Sequence, residues 1–316
     1  MITDCPRPDA PLRIGTRGSP LALAQAHETR RWLMSAFDLP ASAFSIVVIK
    51  TTGDRVLDRP LNDIGGKGLF TKEIEEDLLQ GKIDIAVHSM KDMPVAQPPG
   101  LLLECCLPRE DVRDAFVSLT YDSLAGLPSG ARVGTSSLRR RAQLWARRPD
   151  LKVVEFRGNV QTRMQKLDRG VADATFLAMA GLRRLGMAQV VKSVIGVREV
   201  LPAVAQGAIG IERRADDRRA AALLEAIHDA PTGQRLAAER AFLAGLEGDC
   251  ETPVAGLAVL EGGTLRLRGE ILRPDGSEVL GDEQTAPVTD GAQLGAEMAA
   301  RLRARAGEGF FDWPAP

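Results

Sequence analysis

From Leu12 to Glu212 the chain alternates short apolar runs with amphipathic stretches of helical period, which restricts it to helices packed on the faces of a parallel sheet. Leu12 to Gly15 reads as a strand. Ser19 follows as a helix N-cap with Pro20 in the first helical position, opening a helix to about Phe37. A strand over Ser45 to Lys50 and a helix from about Thr71 to Gln80 come next, the latter stopped by Gly81. Ile83 to His88 has the unbroken apolar character of a buried strand, and it delivers Ser89-Met90-Lys91-Asp92 at its C-terminal end.

Prolines at 94, 98, 99 and 108 mark a crossing into a second unit with the same grammar. A strand ends at Gly134 and a helix runs from Leu138 to Arg147, halted by Pro149. The strand Leu151 to Phe156, the helix Asn159 to Asp168 and the strand Ala172 to Leu177 follow. Ala208 to Glu212 reads as a strand returning to the first unit. Polar residues sit just after strand C-terminal ends in both units, where open α/β sheets bind ligands, so the two lobes are expected to face a cleft. Beyond Arg214 the pattern changes to two helical runs, three strand-like segments near Leu257, Leu265 to Leu272 and Glu278 to Gly281, and a last helix from about Gly291 to Arg305. The expected fold class is α/β, two lobes plus a small C-terminal α+β domain. Its domains are residues 11–107 with 203–226, 108–202, and 227–316.

Charge is distributed unevenly. The chain has 41 Lys+Arg against 42 Asp+Glu, yet Arg139, Arg140, Arg141, Arg147, Arg148, Lys152, Arg157 and Arg163 crowd one stretch opposed only by Asp150 and Glu155. Gly134-Thr135-Ser136-Ser137 brings hydroxyls and free backbone N–H groups to the helix start beside them, a ready site for carboxylates or phosphates. Near-neutral overall charge and 4% aromatic residues leave little for stacking nucleic-acid bases, which argues against RNA as the partner. The first dozen residues lack the apolar core of a signal peptide and no run is long enough to span a bilayer, so the expected location is cytoplasmic, with no membrane partner. Three scattered histidines and four cysteines without ligand spacing predict no metal.

Single motifs remain ambiguous by themselves. Thr16-Arg17-Gly18-Ser19 serves as an ordinary N-cap or as an anion contact. Gly65-Gly66-Lys67-Gly68 lacks phosphate-loop spacing and reads as an active-site loop with a cation, or a helix-entry turn. Ser89, Lys91 and Asp92 put a hydroxyl, an ammonium and a lone carboxylate at a sheet mouth, a combination that suggests catalysis over a solvated turn. Cys105 and Cys106 lie among leucines and read as core, whereas Cys250 stands in a polar segment, Asp249 to Pro253, where a thiol reaches solvent or a cleft.

Taken together, Arg17 to Gln25, Gly65 to Phe70, Asp84 to Pro94, Gly134 to Arg140, Phe156 to Arg163, Leu201 to Glu212 and Leu246 to Pro253 resemble the hydroxymethylbilane synthase (porphobilinogen deaminase) family. The resemblance runs from about Leu12 onward, and His88 to Asp92 and Gly134 to Arg140 are its most specific motifs. It implies two lobes like those of periplasmic binding proteins, facing a cleft, with a third α+β domain. It also implies an enzyme that condenses four porphobilinogen molecules head to tail, releases ammonia, and frees a linear tetrapyrrole by hydrolysis. The cofactor it implies is a dipyrromethane held by a thioether, with Cys250 at the attachment position and Asp92 at the catalytic one. Ser89, Lys91, Asp92, Thr135, Ser136, Ser137, Arg139, Arg140, Arg157 and Gly158 correspond to cofactor contacts. Arg17, Ser19, Gln25, Lys67, Arg157 and Arg163 correspond to substrate contacts. A monomer is implied.

The chemistry accounts for these residue types. Each porphobilinogen brings two carboxylates, so a growing chain needs many cations, and guanidinium pairs carboxylate in two-pronged fashion. A two-lobed anion-binding protein without catalysis would share the architecture but gives Cys250 no purpose. Departures from the family pattern are Asp249 and Ala205, where glycine is expected, and Gly18, where a bulkier polar residue is expected.

Overall fold

A computed structural model of the chain describes residues 5–55, 71–248 and 252–310. In chain order it runs β1 (Leu12–Arg17), α1 (Pro20–Phe37), β2 (Phe44–Ile49), α2 (Lys72–Leu79), β3 (Ile85–Ser89), β4 (Leu101–Cys106), β5 (Asp114–Ser118) and β6 (Arg132–Gly134). There follow α3 (Leu138–Arg147), β7 (Lys152–Val154), α4 (Val160–Asp168), β8 (Ala174–Ala178), α5 (Met179–Arg184), β9 (Ser193–Val194) and β10 (Ile209–Arg214). The last elements are α6 (Arg218–Glu225), α7 (Ala230–Gly245), β11 (Val254–Glu261), β12 (Thr264–Leu272), β13 (Val279–Pro287) and α8 (Gly291–Ala306). Two compact units result, Met1–Arg109 with Ala208–Gly233, and Glu110–Gly207 with Gln234–Pro316.

The first unit is built on a five-stranded sheet in the order β2-β1-β3-β10-β4. β1 lies parallel to both β2 and β3, while β10 runs antiparallel to β3 and β4. α1 packs against it because Ala22, Gln25, Ala26, Thr29 and Leu33 recur at helical spacing and are all buried. Leu12, Ile14, Leu33, Phe44, Ile85, Val87, Ile209 and Ile211 form its core. Each such side chain contributes roughly 1.5–3 kcal/mol on leaving water.

The second unit holds a five-stranded sheet, β7-β6-β8-β5-β9, in which β6 is parallel to β7 and β8 while β5 is antiparallel to β8 and β9. It also holds the antiparallel sheet β11-β12-β13, on which α8 packs through β12 and β13. Glu239 of α7 is fully buried here and accepts the backbone N–H groups of Ala205 and Ala258, at 2.7 and 2.8 Å. Ala205 has a φ of 60°, left-handed backbone, which is the physical reason a glycine is expected there.

The alternating grammar therefore yields α/β units and a C-terminal α+β portion, but the two large sheets are mixed and not parallel. β10 returns to the first unit as expected. One strand in each sheet runs against the other four, β10 in the first and β5 in the second. β4 and β5 flank the proline-rich crossing, whose turn residues obscure strand character. Cys105 and Cys106 are buried in β4, and burial, together with Cys106, pushes the Cys105 thiol up to about 12. No helix among the described residues is long and apolar enough to cross a membrane.

Candidate active site

In the first unit an open pocket forms where β1 hands over to α1 and where β3 ends. Arg17, Ser19, Gln25, Thr71, His88, Ser89 and Asp92 line it. Ser19 caps α1, its Oγ accepting from the N–H of Ala22 at 3.2 Å, so the N-cap reading holds and the residue faces the pocket as well. The buried Gln25 amide reaches across from α1 and donates from Nε2 to Ser89 Oγ at 2.9 Å. Local sequence explains how Asp92 is presented. Met90 and Met93 are anchored inward, 2% and 4% exposed, while a single 3-10 turn over Met90–Asp92 directs Asp92 outward as an exposed residue. The N–H of Met90 donates to the carbonyl of Ala208 at 3.1 Å and that of Met93 to Met90 at 3.2 Å, pinning the turn. Lys91 between them is half-buried.

In the second unit the segment Thr135 to Ser137 enters α3. Thr135 Oγ1 accepts from the N–H of Ser137, Ser136 Oγ from Phe156, and Ser137 Oγ from Arg140. Each oxygen is thus occupied as an acceptor by backbone. No acceptor for the three hydroxyl protons occurs among the described residues; Thr135 is buried, whereas the partly exposed Ser136 and Ser137 remain able to donate to an anion.

The arginine-rich stretch is not one solvated face. Arg139 and Arg140 are only 5% and 6% exposed and share the fully buried Asp114. Arg140 donates Nη2 to Oδ1 at 2.7 Å, Nε to Oδ2 at 3.1 Å and Nη1 to the carbonyl of Phe176 at 3.0 Å. Arg139 donates to Asp114 Oδ2 at 2.9 Å and to the carbonyl of Leu201 at 2.7 Å. Burial alone would raise Asp114; the charges of Arg140 and Arg139 overcome it and hold the carboxyl well below the usual range. Gln206 adds a further donor to Asp114 Oδ1 at 2.8 Å.

One carboxylate between two guanidiniums leaves an excess of positive charge at the hydroxyl-bearing helix start. Arg163 lies half-buried nearby, bonded from Nε to the carbonyl of Gly158 at 2.9 Å; burial, reinforced by Arg140, brings its guanidinium down to about 10. Gly158 has a φ of 113°, a conformation reserved for glycine. Arg157 pairs with Glu155 at 3.2 Å. Arg147 and Arg148 instead serve backbone carbonyls at Gln143, Leu124 and Leu127, and Arg141 lies over the Trp145 ring at 5.5 Å.

The structure thus gathers Arg17, Ser19, Gln25, Ser89, Lys91 and Asp92 in one unit and Thr135, Ser136, Ser137, Arg139, Arg140, Arg157, Gly158 and Arg163 in the other. Lys67 and Cys250 lie outside the described residues, as do Gly65, Gly66, Gly68, Asp249 and Glu251. Asp114 and Gln206 were missed by sequence reasoning. Asp114 opens an otherwise apolar strand, and only that incongruity of charge in a buried run could have flagged it. Among the described residues no cluster of His, Cys, Asp and Glu could hold a metal ion.

Residues 12–222 match the family described as porphobilinogen deaminase, dipyromethane cofactor binding domain, and residues 234–304 match the porphobilinogen deaminase C-terminal domain. The chain is 67% identical over 312 residues to porphobilinogen deaminase of Paracoccus denitrificans (strain Pd 1222), covering 99% of this chain and 100% of that one. It is 55% identical over 306 residues to the chloroplastic porphobilinogen deaminase of Oryza sativa subsp. japonica, covering 95% and 86%. Among solved structures, a periplasmic substrate-binding protein of an ABC transporter from Coxiella burnetii matches with a TM-score of 0.42 at 15% identity, over 70% of this chain and 93% of that one. With both of its domains matched and two thirds of its residues shared with a full-length relative, the chain belongs to the porphobilinogen deaminase family.

Proposed function

We propose that this transferase performs its condensation at the β3 terminus, with Asp92 as the catalytic carboxylate, the Thr135 to Arg140 segment as the cofactor cradle, and Cys250 as the attachment point. The observation that carries the reading is the exposed carboxylate of Asp92, raised on a turn pinned by Met90 and Met93, in a pocket shared with Arg17. Loss of ammonia from porphobilinogen leaves a cationic methylene-pyrrolenine, and a preorganised carboxylate stabilises that charge as it develops.

The donor set of the second unit suits a dipyrromethane. Two partly exposed hydroxyls able to donate, Ser136 and Ser137, and the cationic excess of Arg139 and Arg140 over Asp114 match a group rich in carboxylates. When bound, that group supplies the pyrrole α-carbon at which the chain is extended. Ser136, Ser137, Arg139 and Arg140 would hold its acetate and propionate side chains, with Ser89, Lys91, Asp92, Thr135, Arg157 and Gly158 as further contacts. Arg17, Ser19, Gln25, Lys67, Arg157 and Arg163 would receive incoming porphobilinogen. Three domains at the stated boundaries, a monomeric state and a cytoplasmic location complete the proposal.

Intact mass of the purified protein tests the reading. An adduct on the chain that colours with a pyrrole reagent supports it, and an unmodified chain that merely binds porphobilinogen would turn the protein into a binding module.

A further inference from the structure

Beneath the pocket wall the first unit keeps an ionisable pair that the proposed chemistry does not use. His88 lies on β3, one residue before Ser89 and four before Asp92. β10 runs antiparallel to β3, with Gly210 opposite His88 and Glu212 opposite Ala86. That register places Glu212 diagonal to His88 on the same face of the sheet, within reach of long side chains. His88 Nε2 lies 3.0 Å from Glu212 Oε2, and the two side chains are 5% and 0% exposed. Gly210, opposite His88, leaves room for Met90, the residue that anchors the turn bearing Asp92, since a Cβ there would run into its sulfur.

Glu212 is an expensive residue to bury. Its second oxygen, Oε1, is buried with no hydrogen-bond partner among the described residues. A carboxylate so placed persists only where a partner compensates it. The ring of His88 is that partner, and Nδ1 of the ring has none among the described residues. Glu75 of α2 is buried as well. Burial pushes its carboxyl up, the Thr71 hydroxyl pulls it down, and the charges of Glu212 and His88 act in opposite senses. The ring is therefore surrounded by Glu212 from β10 and Glu75 from α2, with neutral Gln25 from α1 and with Arg17 and Asp92 on the pocket side.

We propose that Glu212 and His88 are a positioning pair for the active-site end of β3. The carboxylate fixes the imidazole with its proton on Nε2. The ring in turn locks β3 to β10, and the Met90-to-Ala208 hydrogen bond carries that registration into the turn that presents Ser89 and Asp92. The inference rests on the reading of this pocket as the active site. Misplacing a positioned group by about 1 Å can cost on the order of 100-fold in rate.

The test uses the full chain with its cofactor in place. The sequence has three histidines, so 15N-histidine NMR resolves them one by one. His88 is expected to carry its proton on Nε2 in wild type, and a ring without a proton on Nε2 would overturn the proposal. Glu212→Gln is expected to lower kcat about tenfold or more while KM for porphobilinogen stays within about twofold, with pyrrole-reagent colour per chain unchanged. His88→Gln, which retains an N–H donor, should keep more turnover than His88→Ala. Variants that lose melting temperature yet turn over normally per folded molecule would reduce the pair to a fold contact and sink the idea. Asp92→Asn is assayed alongside. Normal turnover in that variant removes the pocket reading itself, whereas an inactive Asp92→Asn beside a normal Glu212→Gln removes the pair alone.

Discussion

The guanidinium of Arg140 grips the carboxylate of Asp114 with two hydrogen bonds, 2.7 and 3.1 Å, at a point almost closed to solvent. A buried guanidinium held this way has its orientation decided before any ligand arrives. Arg139, on the same carboxylate, is fixed likewise, so the two arginines present a preset geometry to the entrance of α3.

Removing the carboxylate should therefore cost more than removing a surface charge. Asp114→Asn strands two buried cations, and breaking a buried ion pair from one side costs about 3–5 kcal/mol. A lower melting temperature and a chain poorly loaded with cofactor are the expected results, read by calorimetry and by pyrrole-reagent colour. Arg17→Leu should melt normally and keep its cofactor yet stall turnover. Equal cofactor content in Asp114→Asn and Arg17→Leu would break this division of labour.

Asp92→Asn keeps size and reach and loses only the charge. Turnover should fall by about 10²–10³, the loss of one preorganised electrostatic partner. Because Asp92 is exposed and its turn is held by Met90 and Met93, the melting curve should stay put. Ammonia release per enzyme decides the matter; near-normal release in a folded variant takes Asp92 out of the mechanism.

Attachment is tested at Cys250. Cys250→Ser should fold but emerge without the adduct, since a hydroxyl is a far weaker nucleophile than a thiolate. Cys105→Ser and Cys106→Ser should retain it, consistent with their burial in β4 and with a Cys105 thiol pushed up to about 12. Intact mass reads all three, and an adduct surviving Cys250→Ser moves the anchor elsewhere.

Glu75 gives a pH signature. Burial lifts its carboxyl above the unfolded value of about 4.3, so the folded protein holds a proton that the unfolded chain has already released. Stability from this group is present below that value and is lost as pH rises through the folded one. Glu75→Gln, which needs no proton, should match wild type near pH 4 and become progressively more stable than it toward neutrality. Denaturant melts of both proteins across that range check this, and parallel curves would refute it.

Much of this fold was written in local pattern. Ser19-Pro20 announced α1 to the residue, and the apolar run into His88 placed Asp92 at a sheet mouth because strand ends are set by nearest neighbours in sequence. β4 and β5 escaped because their pairing partners, β10 and β8, lie far along the chain and no local alternation records them. The arginine stretch misled in part for the same reason. Nothing near Arg139 and Arg140 signals that Asp114, 25 and 26 residues earlier, draws them inward, or that Arg148 is occupied with the carbonyls of Leu124 and Leu127. The resemblance assigned the active-site positions; the geometry adds Asp114, Gln206 and the Glu212–His88 pair, which no short motif contains.

Ala205 holds a left-handed backbone that costs a residue with a side chain about 1–2 kcal/mol. Glu239 keeps it there, taking the N–H of Ala205 with one oxygen and that of Ala258, in β11, with the other. The next residue, Gln206, reaches Asp114 and through it the guanidinium of Arg140. A sheet strand, a helix carboxylate, a strained peptide and the arginine clamp are thereby joined in a single mechanical linkage. The C-terminal sheet and the arginine clamp therefore share one unbroken run of buried hydrogen bonds, with Ala205 as its bend.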